Sequence, residues 1–391
     1  MVVDWQIHRQ GTVWFEERID ELLEQIVKIC EIEAPTFAEQ TRAQYVAAVM
    51  QQLPRGTTTI DDCGNVVYVF REPEAGQGFL LVTAHLDTVF PAGTDVRVRR
   101  EGERWYAPGI RDNSASVALM IELARFLGEI DYRPKHGLAF VANVGEEGLG
   151  NLKGMKYLFE EGSASHWPVE AVLVLDGSFG KICYQGVTSR RFEVIMTCDG
   201  GHSWYDYGRP SAVHALGRAI APIDSLRLPS KPRTTLNVGV IEGGVSVNSI
   251  AGEARMLIDM RSQEPQALDS VDRAVREAIR QAIADDEVHV EINVVGERPG
   301  GSIPDDHPLV RTHAEMAAAL GVQVTPSWAS TDANVPLSKG IPAICIGVAT
   351  GGALHSLDEY LDVSSVLPGA RYALGALLAF STWVEQVEHL T

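Results

Sequence analysis

Apolar positions along the chain follow two rhythms. Between residues 14 and 30, Ile19, Leu22, Leu23, Ile26 and Ile29 recur at helical spacing with acidic residues on the other face. That pattern predicts one amphipathic helix, and a second is expected over about 39–52. Short continuous apolar runs follow: NVVYVF (65–70), FLLVTA (79–84), GLAFVANV (137–144), AVLVLD (171–176) and PAICIGV (342–348). Such runs suit strands buried on both faces. Helical patterns lie between and after them, over 114–128, 152–162, 307–321 and about 366–387. Buried strands alternating with helices predict an α/β fold with a mainly parallel sheet and flanking helices.

The stretch from 187 to 297 breaks this rhythm. RRFEVIMTCDG, TLNVGVIEGG and ARMLIDMRS read as strands bounded by turn residues, with helical spacing near 210–220 and 265–284. It is expected to form a smaller inserted α+β domain, 187–297, with 1–186 and 298–391 making one discontinuous domain. A length of 391 residues agrees with two cores rather than one.

Composition narrows the class. Apolar residues are 45% and charged residues 22% of the chain, as in globular proteins. The net charge of −19 would repel nucleic acid and anionic membranes. No uncharged apolar stretch approaches about eighteen residues, so no membrane span is expected, and MVVDWQIHRQ lacks the apolar centre of a secretory signal. Cys30, Cys63, Cys183, Cys198 and Cys345 are scattered with no C-x-x-C pair, which suits reduced thiols. A cytoplasmic protein is the expectation.

Chemistry gathers where strands end. FLLVTA runs into His85 and Asp87, which share a face at alternate positions. GLAFVANVG runs into Glu146 and Glu147, AVLVL into Asp176, and PAICIGV is followed by His355; APGIRDN places Asp112 just before a helix. Ligands of open α/β sheets bind beyond the carboxyl ends of the strands. Each feature alone has an ordinary explanation. Glu-Glu after a strand is usually a solvated turn, Asp112 or Asn113 suits a helix cap, Asp176-Gly177 suits a turn, and His355 suits a loop. Together they point to one rim.

Charge says what such a rim needs. Asp87, Asp112, Glu146, Glu147 and Asp176 would repel one another without a counter-charge. Two divalent cations supply it. With His85 and His355 neutral, the charges of Asp112, Glu147, Asp176 and a bridging hydroxide balance two such ions. Nitrogen and oxygen donors without thiolate suit zinc, with cobalt or manganese tolerable. Either Glu146 or Glu147 could then serve as the base.

The ordered blocks TAHLDTVFPAGT, APGIRDNSAS, ANVGEEGLG, VLDGS and GALHSLDEY resemble those of the dinuclear zinc peptidases that include peptidase T, carboxypeptidase G, aminoacylase and acetylornithine deacetylase. The resemblance covers nearly the whole chain. It implies that His85 and Asp176 bind one metal, Glu147 and His355 the other, and that Asp112 bridges. It implies Glu146 as general base and Asp87 as the group orienting a metal-bound imidazole. The inserted domain resembles the family's lid, which commonly forms a dimer interface, so a homodimer is implied. His202, in GGHSWYDYGRPSA, would stabilise the oxyanion in the partner's site; otherwise it is a solvated loop histidine. Asn248 and Arg261 resemble lid residues that hold a substrate carboxylate or carbonyl, with a surface ion pair the alternative for Arg261. Many members carry D-x-K-G at the bridging aspartate, whereas this chain has Asp112-Asn113-Ser114-Ala115.

The expected function is metal-dependent hydrolysis of an amide bond in a small peptide or acylated amino acid. STDANVPLSKGIPAICIGV resembles the peptidase-T branch and favours a di- or tripeptide aminopeptidase. HLDTVFPAGT is shared with the carboxypeptidase-G branch, so a carboxypeptidase or an N-acyl-amino-acid deacylase is the alternative. A non-catalytic metal-dependent binding protein is the remote one.

Overall fold

The computed structural model of the chain describes residues 3–284 and 287–387. It divides into two compact units, one of residues up to Gly186 together with those from Ser302 onward, the other Val187–Gly301.

The first unit is built on a mixed sheet. Its strands run in the order Thr57–Ile60, Val66–Arg71, Gly137–Asn143, Phe79–His85, Val169–Phe179, Ala343–Gly347 and Lys181–Gly186, with Thr325–Ala329 also pairing the last. The four central strands are parallel: Phe79–His85 lies between Gly137–Asn143 and Val169–Phe179, and Ala343–Gly347 pairs with Val169–Phe179. Every residue of Phe79–His85 and Gly137–Asn143 is buried, which is why their sequences show no alternation. Antiparallel pairing is confined to the flanks. A small four-stranded sheet, Gly351–Gly352, Tyr360–Asp362, Arg104–Tyr106 and Arg99–Glu101, completes the unit.

The single helix expected over 14–30 is two. Trp5–Glu17 and Ile19–Cys30 meet at Arg18, whose φ of −119° and ψ of 17° leave the helical region. The apolar spacing continues across the break, and neither Gly nor Pro marks it. The C-terminal helix Val366–Val387 is apolar enough by length and composition to cross a membrane, with mean hydropathy 1.3 over the most apolar 18-residue window within Val363–Glu385. It packs instead against the helices Pro308–Ala319 and Trp5–Glu17, and 67% of its most apolar window is buried in the protein.

The second unit carries an antiparallel sheet in the order Thr234–Gly243, Glu253–Ser262, Thr188–Thr197, His289–Arg298. Here burial alternates, because one face packs on the helices Ala212–Asp224 and Pro265–Ala282 and the other does not. Phe192, Val194, Met196, Met256, Ile258 and Val275 form its core. Thr234–Gly243 is an edge strand.

Candidate metal centre

Because the central strands run the same way, their carboxyl ends open on one edge of the sheet. Phe79–His85 ends on His85, whose register partner is Asn143. Glu146 and Glu147 follow that asparagine by a short turn, and Asp176 lies near the end of Val169–Phe179. His355 sits in the loop between Gly351–Gly352 and Tyr360–Asp362, at a left-handed φ of 60°.

His85, Asp112 and Glu147 each present a ligand atom within 4.8 Å of the others. Asp112 is the hinge of the group. Its Oδ1 lies 3.2 Å from His85 Nε2 and its Oδ2 lies 3.4 Å from His355 Nε2. His355 Nε2 is also 3.1 Å from Glu147 Oε1. Asp112 does not cap the helix Ala115–Glu129, which begins on Ser114 without a side-chain cap. Glu146 and Glu147 are buried, at 5% and 7% exposure, so this Glu-Glu is not a solvated turn.

The turns that carry these groups hang from other carboxylates. Asp87 is fully buried; its Oδ1 accepts the amide of Glu146 and its Oδ2 the amide of Glu147, each at 2.9 Å. Thr36 donates its hydroxyl to the same Oδ2. Glu39 accepts the Gly145 amide at 3.1 Å. Arg42, also buried, donates to the carbonyls of Cys30, Ile32 and Leu86 and so pins the chain between His85 and Asp87.

Electrostatics match this crowding. Burial opposes a charge on His85, but hydrogen bonds to Asp112 and Asp87 outweigh it and hold its pKa well above the ordinary value. Hydrogen bonds to Asp112 and Glu147 raise His355 to about 10. Burial also opposes charge on Asp112, yet the same two imidazoles hold its carboxyl below the usual range. Burial and then the Asp112 charge push Asp176 up to about 6. The carboxylates thus draw protons onto both imidazoles. Divalent cations in the same place would supply that charge instead.

The donors fit such ions. Asp112 Oδ1 is buried and, among the described residues, faces His85 Nε2 at 3.2 Å with no other polar partner, so a lone pair is left for another acceptor of electrons. His85 Nδ1 faces two oxygens of Asp87, its carbonyl at 3.0 Å and Oδ1 at 3.5 Å. In neutral His85 that nitrogen keeps the proton and Nε2 keeps the lone pair. All donors are nitrogen or oxygen, as zinc, cobalt and manganese accept.

Two buried acids escaped sequence reasoning. Asp332 accepts from Asn143 at 2.7 Å and is pushed up to about 7 by burial. It lies in the STDAN stretch, where nothing separates it from a loop aspartate. Glu359 is likewise fully buried and pushed up to about 7 by burial. Its position four residues after His355 was the only available signal.

The other candidates lie in the second unit. His202 and Asn248 come together there: His202 pairs with Ser249 in a two-residue ladder, and the Asn248 carbonyl accepts the Ser203 amide. The His202 side chain is exposed and accepts the Trp204 amide at Nδ1. Arg261 stands on the strand Glu253–Ser262 and forms an ion pair with Asp259 at 2.8 Å.

Comparison with known proteins gives one family. A family model described as peptidase family M20/M25/M40 matches residues 81–379. The acetylornithine deacetylase of Myxococcus xanthus is 29% identical over 331 residues, covering 79% of this chain and 83% of that protein. The structure of aminopeptidase PepT from Bacillus cereus superposes with a TM-score of 0.75 at 22% identity, covering 93% of this chain and 99% of that one. A dinuclear metal-binding peptidase from Bacillus subtilis does so with a TM-score of 0.69 at 16% identity, covering 94% and 99%. Likeness at these identities establishes a shared fold.

Proposed function

The chain belongs to peptidase family M20/M25/M40, whose members are metal-dependent hydrolases, and from that premise we propose that it hydrolyses a small peptide as a di- or tripeptide aminopeptidase. The observation that carries the hydrolytic reading is Asp112, whose two oxygens face two different imidazoles. His85 and Asp176 would hold one divalent ion and Glu147 and His355 the other, with Asp112 shared between them. Zinc suits these donors, and cobalt or manganese would serve. When bound, such ions supply Lewis acidity to a carbonyl oxygen and make water more acidic.

The chain's own residues do the rest. Glu146 takes a proton from the attacking water and returns it to the departing amine. Its amide is tied to Asp87, which also faces His85, so the base and the imidazole share one anchor. A homodimer through the second unit is part of the proposal, with His202 stabilising the oxyanion in the partner's site and Asn248 and Arg261 contacting substrate. The exposed edge strand Thr234–Gly243 and the exposed His202 support it. Five free cysteines support a cytoplasmic location.

The aminopeptidase reading rests on the peptidase-T-like block around Asp332. A deacylase is the second reading, favoured by the identity with acetylornithine deacetylase. Rates on a free tripeptide, its N-acetylated form and its C-terminal amide separate them. Loss of cleavage on acetylation is expected; loss only on amidation would move the assignment to a carboxypeptidase, and preference for the acetylated form to a deacylase.

A further inference from the structure

Glu359 does something that its place next to a ligand loop does not require. Its carboxylate is fully buried and accepts three backbone amides from one turn. Oε2 takes Gly109 at 3.1 Å, and Oε1 takes Arg111 and Asp112, each at 3.0 Å. Its carbonyl accepts a fourth amide, Ala107, at 3.0 Å. The strands Tyr360–Asp362 and Arg104–Tyr106 pair in register just beyond, Tyr360 opposite Tyr106, and so deliver Glu359 to the turn at a defined height.

The turn needs an external acceptor. Asp112 and Asn113 have non-helical backbone angles, so the Arg111 and Asp112 amides take a side chain as acceptor instead of a carbonyl of the preceding turn. Gly109 adopts a φ of 77°, and a Cβ there would press on Thr88. Ser114 ties the turn's other end by donating its hydroxyl to the Gly109 carbonyl at 2.6 Å. The Gly109, Arg111 and Asp112 amides thus converge on one side chain, borne by the segment that also bears His355, while the Ile110 amide turns back to the Ala107 carbonyl at 3.2 Å. Asp87 does the same for the amides of Glu146 and Glu147.

We propose that Glu359 is a positioning residue: by holding the 109–112 turn through its amides, it sets Asp112 where both imidazoles meet it, and locks that aspartate to the His355 segment before any metal arrives. The inference rests on Asp112 being the shared metal ligand. A glutamine at 359 can keep two of the side-chain bonds, but its amide group would then face the Gly109 N–H as a donor.

The test uses metal-free full-length protein titrated calorimetrically with zinc and, separately, with cobalt followed by visible absorption. Glu359→Gln and Glu359→Ala should weaken binding by about 10–100-fold, the range for partners that orient ligands, and should alter the cobalt spectrum. Melting of the metal-free Glu359→Gln protein should move by no more than a few degrees. A purely structural role gives the reverse, a lowered melting temperature with wild-type affinity and spectrum, and would overturn the proposal. If neither variant folds, hydrogen exchange on the wild type decides. The Gly109, Arg111 and Asp112 amides should be protected equally with and without zinc; protection gained only with zinc would also overturn it. Failure of the wild type itself to bind metal would refute the ligand reading, whereas normal binding by the variants refutes only the role of Glu359.

Discussion

Asp87 takes the amides of both Glu146 and Glu147, so one carboxylate holds the backbone that carries the two side chains whose roles spacing alone could not divide. Asp87→Asn keeps the volume but can accept only on one side, and its amide group would oppose the other N–H. We expect metal affinity or turnover to fall by about 10–100-fold; titration of the variant at unchanged affinity and rate would show that the 146–147 turn holds itself. Glu146→Gln should bind metal normally while kcat drops by about 10²–10⁴-fold, and near-normal turnover in that variant would remove Glu146 as the base. The side chains at the rim were legible because strand ends collect ligands in this kind of sheet. Asp332 and Glu359 were not, since their partners are backbone amides or a side chain far along the chain. A carboxylate's value as an amide acceptor leaves no mark on local spacing.

Elements were legible wherever burial was uniform along them. Phe79–His85 and Gly137–Asn143 announced themselves as apolar runs because both faces are covered. The break at Arg18 was silent because neither Gly nor Pro stands there to mark it. The C-terminal helix shows how tightly elements meet. Gly369 lies against the backbone of Val348, and a Cβ there would collide with that carbonyl oxygen. Gly369→Ala should therefore destabilise by about 1–3 kcal/mol, read as a lower urea midpoint at unchanged slope; wild-type stability would mean the helix can shift freely. The edge strand Thr234–Gly243 makes a different prediction. It presents Ile241 at 56% exposure, and an uncovered apolar edge invites pairing with another chain. If two copies join there, Ile241→Lys should convert a dimer into a monomer by light scattering, and a dimer that survives the change joins elsewhere.

At the scale of the molecule, two histidines far from the rim set a pH limit. His136 and His313 are fully buried, and burial lowers each to about 4 from 6.5. Between those values the unfolded chain binds more protons than the folded one, so stability rises with pH there. It is complete above pH 6.5 and is lost as pH falls toward 4, by up to about 3 kcal/mol for each histidine. Among the described residues, neither ring nitrogen of His136 meets a partner, so His136→Leu should flatten the loss between pH 6.5 and 4 in thermal melts. An unchanged slope would mean that other groups carry it. The two-unit arrangement was readable from the change of rhythm near 187, but its cost in time is visible only in the sheet order. Val169–Phe179 has Ala343–Gly347 as its parallel neighbour, and the whole second unit lies between them in sequence. At a synthesis rate of about 5–20 residues per second, the ribosome leaves that edge bare for roughly 10–30 s. Leu173, Val174 and Leu175 wait there with open amides and carbonyls. A nascent chain of this protein is therefore an attractive client for chaperones. One that stops before residue 343 ends with four of the five rim ligands in hand, no His355, and a sheet that cannot close beside Asp176.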